Sequence, residues 1–211
     1  MTVAKSTAAG KTSRAPAQRV TEKREAKRQE LTEKALHALA RYGFVDASLR
    51  AIAKDVGVPL SALHYYFDKK TDMIAQCMTL YKTQFIERLS QLIVPGDSAD
   101  ATFARFTQSM VNEIEKDAIL HRLWYDMRVQ SLYSDDLRPT VDQFETTFIQ
   151  FSDAFLTIVG GKNLTGEEVY RLFDGLFFNG VRDVIHGDPD ARQKFLDGMD
   201  HFYRRITGET S

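Results

Sequence analysis

Two groups of side chains in this sequence could do chemistry. The first contains the residue types that serve in catalysis and metal binding, above all histidine and cysteine. The five histidines are His37, His64, His121, His186 and His201. They are scattered, with no His-x-x-x-His spacing, and Cys77 is the only cysteine, so no zinc-binding pattern is present. The sequence also lacks a P-loop, a dinucleotide-binding glycine motif and a nucleophile elbow. These patterns predict no catalytic residue, no metal site and no cofactor.

The second group is basic, polar and aromatic, and it is concentrated between Ser48 and Lys70. Lysine and arginine neutralise phosphates, whereas arginine, hydroxyl and small apolar side chains can contact base edges. The candidate DNA contacts are Ser48, Arg50, Pro59, Leu60, Ser61, His64, Tyr65, Lys69 and Lys70. Arg50 could reach a phosphate or a guanine edge, and Leu60 could meet a thymine methyl group. For His64, capping or packing is an equal alternative.

The elements that must position these side chains form a helix-turn-helix. The first helix is indicated by apolar residues at i, i+3, i+4 and i+7, namely Leu49, Ile52, Ala53 and Val56. Ser48 can cap its start, and Gly57 can end it in a conformation with positive φ. Leu63 and Phe67 then repeat at i, i+4 on a second short helix. Such a unit places its second helix in the major groove of DNA.

The charge distribution favours a polyanionic partner at one end of the chain. Residues 1–70 contain 14 Lys/Arg and seven Asp/Glu, a net charge of +7, whereas the remainder contains 14 and 22, a net charge of −8. The whole chain of 211 residues has a net charge of only −1. A basic segment that coincides with a helix-turn-helix is typical of a DNA-binding domain.

Over roughly its first third, the sequence resembles the TetR/AcrR family of bacterial transcriptional repressors. The residues that carry the resemblance are Ala40–Phe44, Ser48–Ala53, Val56–Val58, Leu63, Tyr65–Phe67 and Lys70. The resemblance implies phosphate-side contacts by Ser48, Tyr65 and Lys70. The start of the second helix differs from the family pattern, because Pro59–Ala62 replaces a Ser-Lys-Gly-Thr-like opening and His64 replaces a common tyrosine. These differences affect which operator sequence we expect the protein to recognise, not whether we expect it to bind DNA.

The remaining sequence predicts an all-α fold of about nine helices in three regions. Residues 1–20 are expected to be a disordered basic arm, with either a DNA-contacting or a merely solubilising role. Residues 21–70 form the helix-turn-helix domain, and residues 71–211 form a ligand-binding and dimerisation domain. The predicted helices are 21–42, 49–56, 60–67, 71–94, 99–115, 118–131, 137–159, 167–186 and 189–206. Glycine, proline and acidic turn residues separate them.

The resemblance implies a ligand pocket in the body, and the sequence offers an aromatic lining for it. The candidate lining is Phe85, Phe103, Phe106, Met110, Trp124, Met127, Arg128, Phe148, Phe151, Phe173, Phe177 and Asn179. For any single member, plain core packing is the alternative. Arg128 lies one turn after Trp124 and would suit a ligand carboxylate or phosphate. The aromatic lining favours a hydrophobic ligand.

The last two helices are expected to pair with their mates in a second subunit. Their apolar positions are Leu172, Leu176, Phe177, 181–184, Phe195, Met199, Phe202 and Ile206. These stripes exceed what a terminal hairpin needs to bury, and a two-fold dimer would explain them. A dimer would present two heads to a palindromic operator with half-sites about 34–36 Å apart.

The sequence therefore predicts a dimeric transcriptional regulator, in the first place a repressor that a small hydrophobic ligand releases from DNA. An activator role stays open. The alternatives are an all-α carrier or enzyme with an incidental basic head, and a nucleoid-type DNA binder without a ligand. No run approaches the roughly 20 apolar residues of a membrane helix, and a lone cysteine fits a reducing compartment. We therefore expect no membrane partner and a cytoplasmic location.

Overall fold

The computed structural model describes residues 16–208, and side chains are described from residue 21 onward. In this range the chain forms nine α-helices and no strand, which confirms the predicted all-α fold. The helices are α1 (Pro16–Asp46), α2 (Leu49–Val56), α3 (Leu60–Tyr66), α4 (Lys70–Ser90), α5 (Ala99–Lys116), α6 (Ala118–Ser131), α7 (Arg138–Ile158), α8 (Gly166–Ile185) and α9 (Ala191–Thr207). None of these helices is both long and apolar enough to cross a membrane.

Helices α1 and α4 differ most from their predicted bounds. Helix α1 begins at Pro16 and continues to Asp46, with a break in helical conformation at Gly43, where φ is 76°. Its first turns therefore lie within the predicted arm, and residues 1–15 of that arm lie outside the described residues. Helix α4 ends at Ser90 rather than 94, because Leu92 N donates to the carbonyl of Leu89 and tightens the chain into a turn.

Local capping fixes the helix-turn-helix. The Ser48 hydroxyl accepts a hydrogen bond from Ala51 N at 3.1 Å and satisfies one unpaired donor at the start of α2. Gly57 has φ 77° and ends α2, so that Val58 N donates back to the carbonyl of Ala53 at 2.9 Å. The fully buried side chains of Leu63 and Phe67 then hold α3 against this frame.

Helix α4 joins this head to the larger helical body. Its first half is buried against α1, and its second half continues into the body through Tyr81, Lys82, Phe85 and Leu89, all of which are buried. Helix α8 packs against both α7 and α9. The α8–α9 approach is close, because a Cβ atom at Gly180 would lie 2.8 Å from the Phe195 ring.

The apolar stripes that were expected to form a dimer are mostly covered within one chain. Phe177 and Val181 of α8 are buried, as are the α9 residues Phe195, Met199, Phe202 and Ile206. They pack in the core of the body, which corrects the argument that these stripes need a second subunit. On α8, Leu172 and Phe178 remain exposed, at 46% and 44%.

Candidate DNA interface and ligand cavity

The exposed face of α3 carries most of the predicted base-reading side chains. Ser61, His64 and Tyr65 are exposed, whereas Leu60 is half-buried against the core of the head. Pro59 is the exposed N-cap residue of α3, and its side chain makes no capping hydrogen bond. The interface that α3 offers is therefore compact and polar.

Arg50 and Tyr65 flank this face with a cation and an amphipathic ring. Arg50 is exposed at the start of α2 and has no hydrogen-bond or ion-pair partner among the described residues. The Tyr65 ring packs edge-on against Tyr66, at 4.9 Å between centroids, and the guanidinium of Arg24 lies 5.0 Å above it. Arg24, Arg50 and Tyr65 are thus available to meet a phosphate backbone around α3.

The two lysines that precede and begin α4 have partners inside the chain, which modifies their predicted role as free phosphate contacts. Lys69 Nζ lies 2.6 Å from the Asp136 carboxylate in the α6–α7 loop, so it links the head to the body. Lys70 Nζ donates to the carbonyl of Val45 at 3.1 Å and lies 5.4 Å from the Phe44 ring centroid. Partial burial lowers the pKa of Lys70 below its ordinary value.

The body contains an apolar cavity of about 50 Å³ to which helices α4 to α9 all contribute. Seven of the predicted residues line it, and all are aromatic: Phe85, Phe106, Trp124, Phe148, Phe151, Phe173 and Phe177. The lining also includes Lys82, Leu89, Tyr125, Ser152, Phe155, Val169, Tyr170, Asp174 and Phe202. A site for a drug-sized ligand usually has about 300–1,000 Å³, so this cavity would have to widen to admit one.

Five residues of the predicted lining lie elsewhere. Phe103, Met110 and Met127 are buried in the surrounding core, and Asn179 is exposed on the outer side of α8. Arg128 lies outside the cavity, and its predicted role as a ligand anchor needs correction. Its guanidinium is paired with Asp174 at 2.7 Å and with Glu145 at 2.9 Å.

The cation that does line the cavity is Lys82, which sequence reasoning missed. A lysine is usually solvated, yet Lys82 is only 3% exposed. The spacing of the α4 residues did indicate that Lys82 is buried. Lys82 stands four residues after Met78 and three before Phe85, so it lies on the same buried stripe.

Four aromatic rings surround the Lys82 ammonium group. Nζ lies 4.7 Å from the ring centroid of Trp124, 5.1 Å from Phe85, 5.4 Å from Phe148 and 5.5 Å from Tyr81. Desolvation lowers the pKa of Lys82 to about 7, against a smaller opposing effect of nearby carboxylates. The rings attract a cation but accept no full hydrogen bond from it.

Beside the cavity, a second buried polar group links three helices. His121 Nε2 of α6 lies 2.9 Å from the Tyr81 hydroxyl of α4 and 3.2 Å from Glu113 Oε2 of α5. Arg88 donates two hydrogen bonds to the same carboxylate, at 2.8 and 3.1 Å. Burial lowers the pKa of His121 to about 4, so the ring is neutral at pH 7. The group ties the helices around the cavity together.

The geometry defines the class: a helix-turn-helix head with an exposed, polar second helix on an all-α body with an apolar cavity. A family model for bacterial regulatory proteins of the tetR family matches residues 31–77. The HTH-type transcriptional regulator PksA of Bacillus subtilis is 22% identical over 178 residues, which cover 82% of this chain and 87% of PksA. Over residues 31–77 the chain is therefore similar to the tetR family of bacterial regulatory proteins, and over most of its length it is similar to a transcriptional regulator.

Two solved structures share the fold over most of the chain. A TetR transcription regulator from Haloarcula marismortui has a TM-score of 0.71 at 16% identity, and the match covers 87% of this chain and 98% of that one. The regulator FadR of Bacillus subtilis, in complex with stearoyl-CoA, has a TM-score of 0.68 at 20% identity, with 84% and 98% covered. These likenesses extend to the body, beyond the 31–77 match.

Proposed function

We propose that the protein is a dimeric repressor that binds a palindromic operator and is released from it by a small hydrophobic ligand. Residues 21–70 serve as the DNA-binding domain, and residues 71–208, as far as the structure describes them, serve as the ligand-binding and dimerisation domain. The observation that carries the proposal is the continuity of α4. This one helix begins beside the candidate DNA contacts and ends among the side chains that line the cavity.

A second connection between cavity and head runs through α6. Trp124 and Tyr125 of α6 line the cavity, and Arg122 of the same helix donates to the carbonyl of Ala40 in α1 at 3.3 Å. The Lys69–Asp136 ion pair adds a contact just beyond the end of α6. A ligand that widens the cavity displaces α4 and α6 and so moves the head. This coupling supports release of DNA as the response to a ligand.

The apolar lining supports a hydrophobic ligand. Eleven of its sixteen side chains are Phe, Trp or Tyr. FadR, which has the same fold, is a regulator seen with stearoyl-CoA, a ligand with a long acyl chain. For the dimer, the support is the pair of exposed apolar side chains on α8, Leu172 and Phe178, which a second copy would cover.

DNA selection tests the repressor proposal. Bound sequences would be selected from a random library, and the affinity of the best one measured against salt concentration. We expect a palindrome and a steep salt slope, because two heads neutralise many phosphates. Arg50→Ala should weaken binding at every salt concentration and reduce the slope by about one. Lys162→Ala, which removes an exposed charge in the α7–α8 loop, is the control.

Light scattering tests the dimer. We expect a two-chain mass at micromolar concentration, and a shift towards the monomer in the double variant Leu172→Glu and Phe178→Glu, because a buried charge without a partner is costly. The exposed residues Ile119→Glu and Val129→Glu on α6 provide the control. A monomeric wild type that still selects a palindrome would overturn the dimer proposal.

A further inference from the structure

We propose that the cavity takes an apolar ligand that carries one carboxylate, and that Lys82 binds this carboxylate. Lys82 lies at the wall of a cavity whose other lining residues are mostly aromatic, and no described residue accepts a hydrogen bond from its ammonium group. The inference rests on the proposed function, because it names the chemical class of the ligand to which the regulator responds.

Lys82 has no hydrogen-bonded counter-ion among the described residues. No hydrogen bond or ion pair joins it to another described residue, although only 3% of the residue's surface is exposed. A buried charge is normally paired, because the water that it loses must be replaced. Ring faces compensate only in part. A ligand carboxylate would supply both the missing negative charge and the missing acceptor.

The cavity offers a further unmatched donor. Tyr170 of α8 lines the same cavity, and its buried hydroxyl has no hydrogen-bond partner among the described residues. The Tyr170 ring stacks on Phe148, at 5.8 Å between centroids, and Phe148 is also one of the rings around Lys82. Two donors without acceptors thus share one aromatic neighbour. Tyr170 is assigned as a second, weaker donor to the ligand.

The other charged groups at the cavity are already paired. Asp174 accepts from Arg128 Nη1 at 2.7 Å and from the Tyr125 hydroxyl at 3.2 Å, so it is not a free counter-ion for a cationic ligand. A ligand ammonium would also compete with Lys82 for the same ring faces. One ammonium in an apolar site matches the single charge of a carboxylate better than the double charge of a phosphate monoester.

The probes are benzoate, 2-naphthoate and octanoate, each paired with its neutral primary amide. Calorimetry would measure the affinity of the full-length protein for each member of a pair. We expect at least one acid to bind, and its amide to bind about ten- to a hundredfold more weakly, because a hydrogen bond to a charged group is lost. The operator complex should dissociate with the acid that binds.

Variants identify the side chain responsible. Lys82→Met keeps an unbranched apolar chain and should remove the preference for the acid over the amide. Tyr170→Phe should weaken acid binding about three- to tenfold, in line with the loss of one hydrogen bond. Lys116→Met, which removes an exposed lysine at the end of α5, is the matched control and should bind the acid like wild type.

Each outcome either supports or overturns the inference. It fails if no acid binds, if an amide binds as tightly as its acid, or if Lys82→Met keeps the preference for the acid. The comparison of acid with amide needs only the wild-type protein, so it decides the question even if a variant does not fold. If neutral hydrophobic molecules release the protein from the operator, the proposed function stands and the inference that the ligand carries a carboxylate is wrong.

Discussion

The head and the body of this protein differ in what they bury. In the head, the buried side chains are apolar except Thr32, whose hydroxyl donates to the carbonyl of Arg28, and the polar side chains of α3 point to solvent. In the body, Lys82, Glu113 and His121 are buried beside a cavity. Buried polar groups cost stability unless they are fully paired. The head is thus organised as a rigid reader, whereas the body keeps groups that a ligand could satisfy.

We expect the largest loss of stability from a substitution in the apolar core of the head, which would test the contrast between head and body. Phe67→Ala removes a fully buried ring that holds α3, and it should lower the free energy of unfolding by about 3–5 kcal/mol. Operator binding should be lost with it. Chemical denaturation and gel shift would measure the two effects. The control is Tyr133→Ala, which truncates a ring that is 84% exposed and should change stability by less than about 0.5 kcal/mol.

The next effect concerns the buried lysine of the body. The folded-state pKa of Lys82 is about 7, below the unfolded value of about 10.4, so between these values the unfolded chain binds more protons. Stability should therefore rise with pH in this window, by up to about 1.4 kcal/mol per unit. Asp174 and Glu113 raise this pKa, and Arg128 and Arg88 lower it. The stability cost of Lys82 is greatest below pH 7.

Lys82→Met isolates this contribution. The variant should be more stable than wild type in the absence of ligand, and the difference should shrink as the pH rises from 7 towards 10. Denaturant titrations at several pH values would measure it, with Lys116→Met as control. A constant difference between Lys82→Met and wild type across this range would show that Lys82 does not titrate there, and the contrast between head and body would lose its electrostatic basis.

A smaller effect is expected at the turn of the helix-turn-helix. Gly57 has φ 77°, and nothing lies within 4 Å of the position of an added Cβ, so the cost of Gly57→Ala comes from the backbone alone. We expect a loss of about 1–2 kcal/mol, measured by thermal unfolding. Gly57→Asn should lose less, because asparagine tolerates this conformation. Equal losses for alanine and asparagine would contradict this account.

The smallest effect comes from a matched pair of helix caps. Ser48 in the head and Ser98 in the body each accept a hydrogen bond from a backbone N–H at 3.1 Å. Replacing either by alanine should cost about 1 kcal/mol. Only Ser48→Ala should also weaken operator binding, because Ser48 lies at the predicted interface. Gel shifts with both variants would test this, and equal DNA affinities would remove Ser48 from the interface.

The sequence predicted the fold class and most helix bounds because they depend on local rules. Helix α2 and helix α6 begin and end at the predicted residues, and in α2 a cap, a glycine and an apolar period act within a few positions of the chain. Helix α1 was predicted too short, because a polar, basic segment without an apolar stripe gives no helix signal. The predicted bounds of the three domains stay predictions.

For the candidate sites, too, the sequence predicted some features and not others. The position of the DNA-reading surface follows from the spacing of α2 and α3 and from the charge of the first 70 residues, both of which the sequence contains. The partners of Lys69 and Lys70 do not follow from it, because Asp136 and Val45 are distant in sequence. Only the packing of the helices brings them together.

The sequence by itself determined that this chain is all-α, that a helix-turn-helix lies near its start and that its positive charge is concentrated there. The tertiary structure decided which side chains meet in the body. Periodicity identifies a buried face, but it cannot distinguish a residue at a cavity, such as Phe148, from one in solid core, such as Met110. The sequence also suggested Arg128 as the cation of the cavity lining. In the structure, Arg128 is paired with two acids and Lys82 lines the cavity instead. Burial and pairing depend on several helices at once, so they cannot be read from one helix.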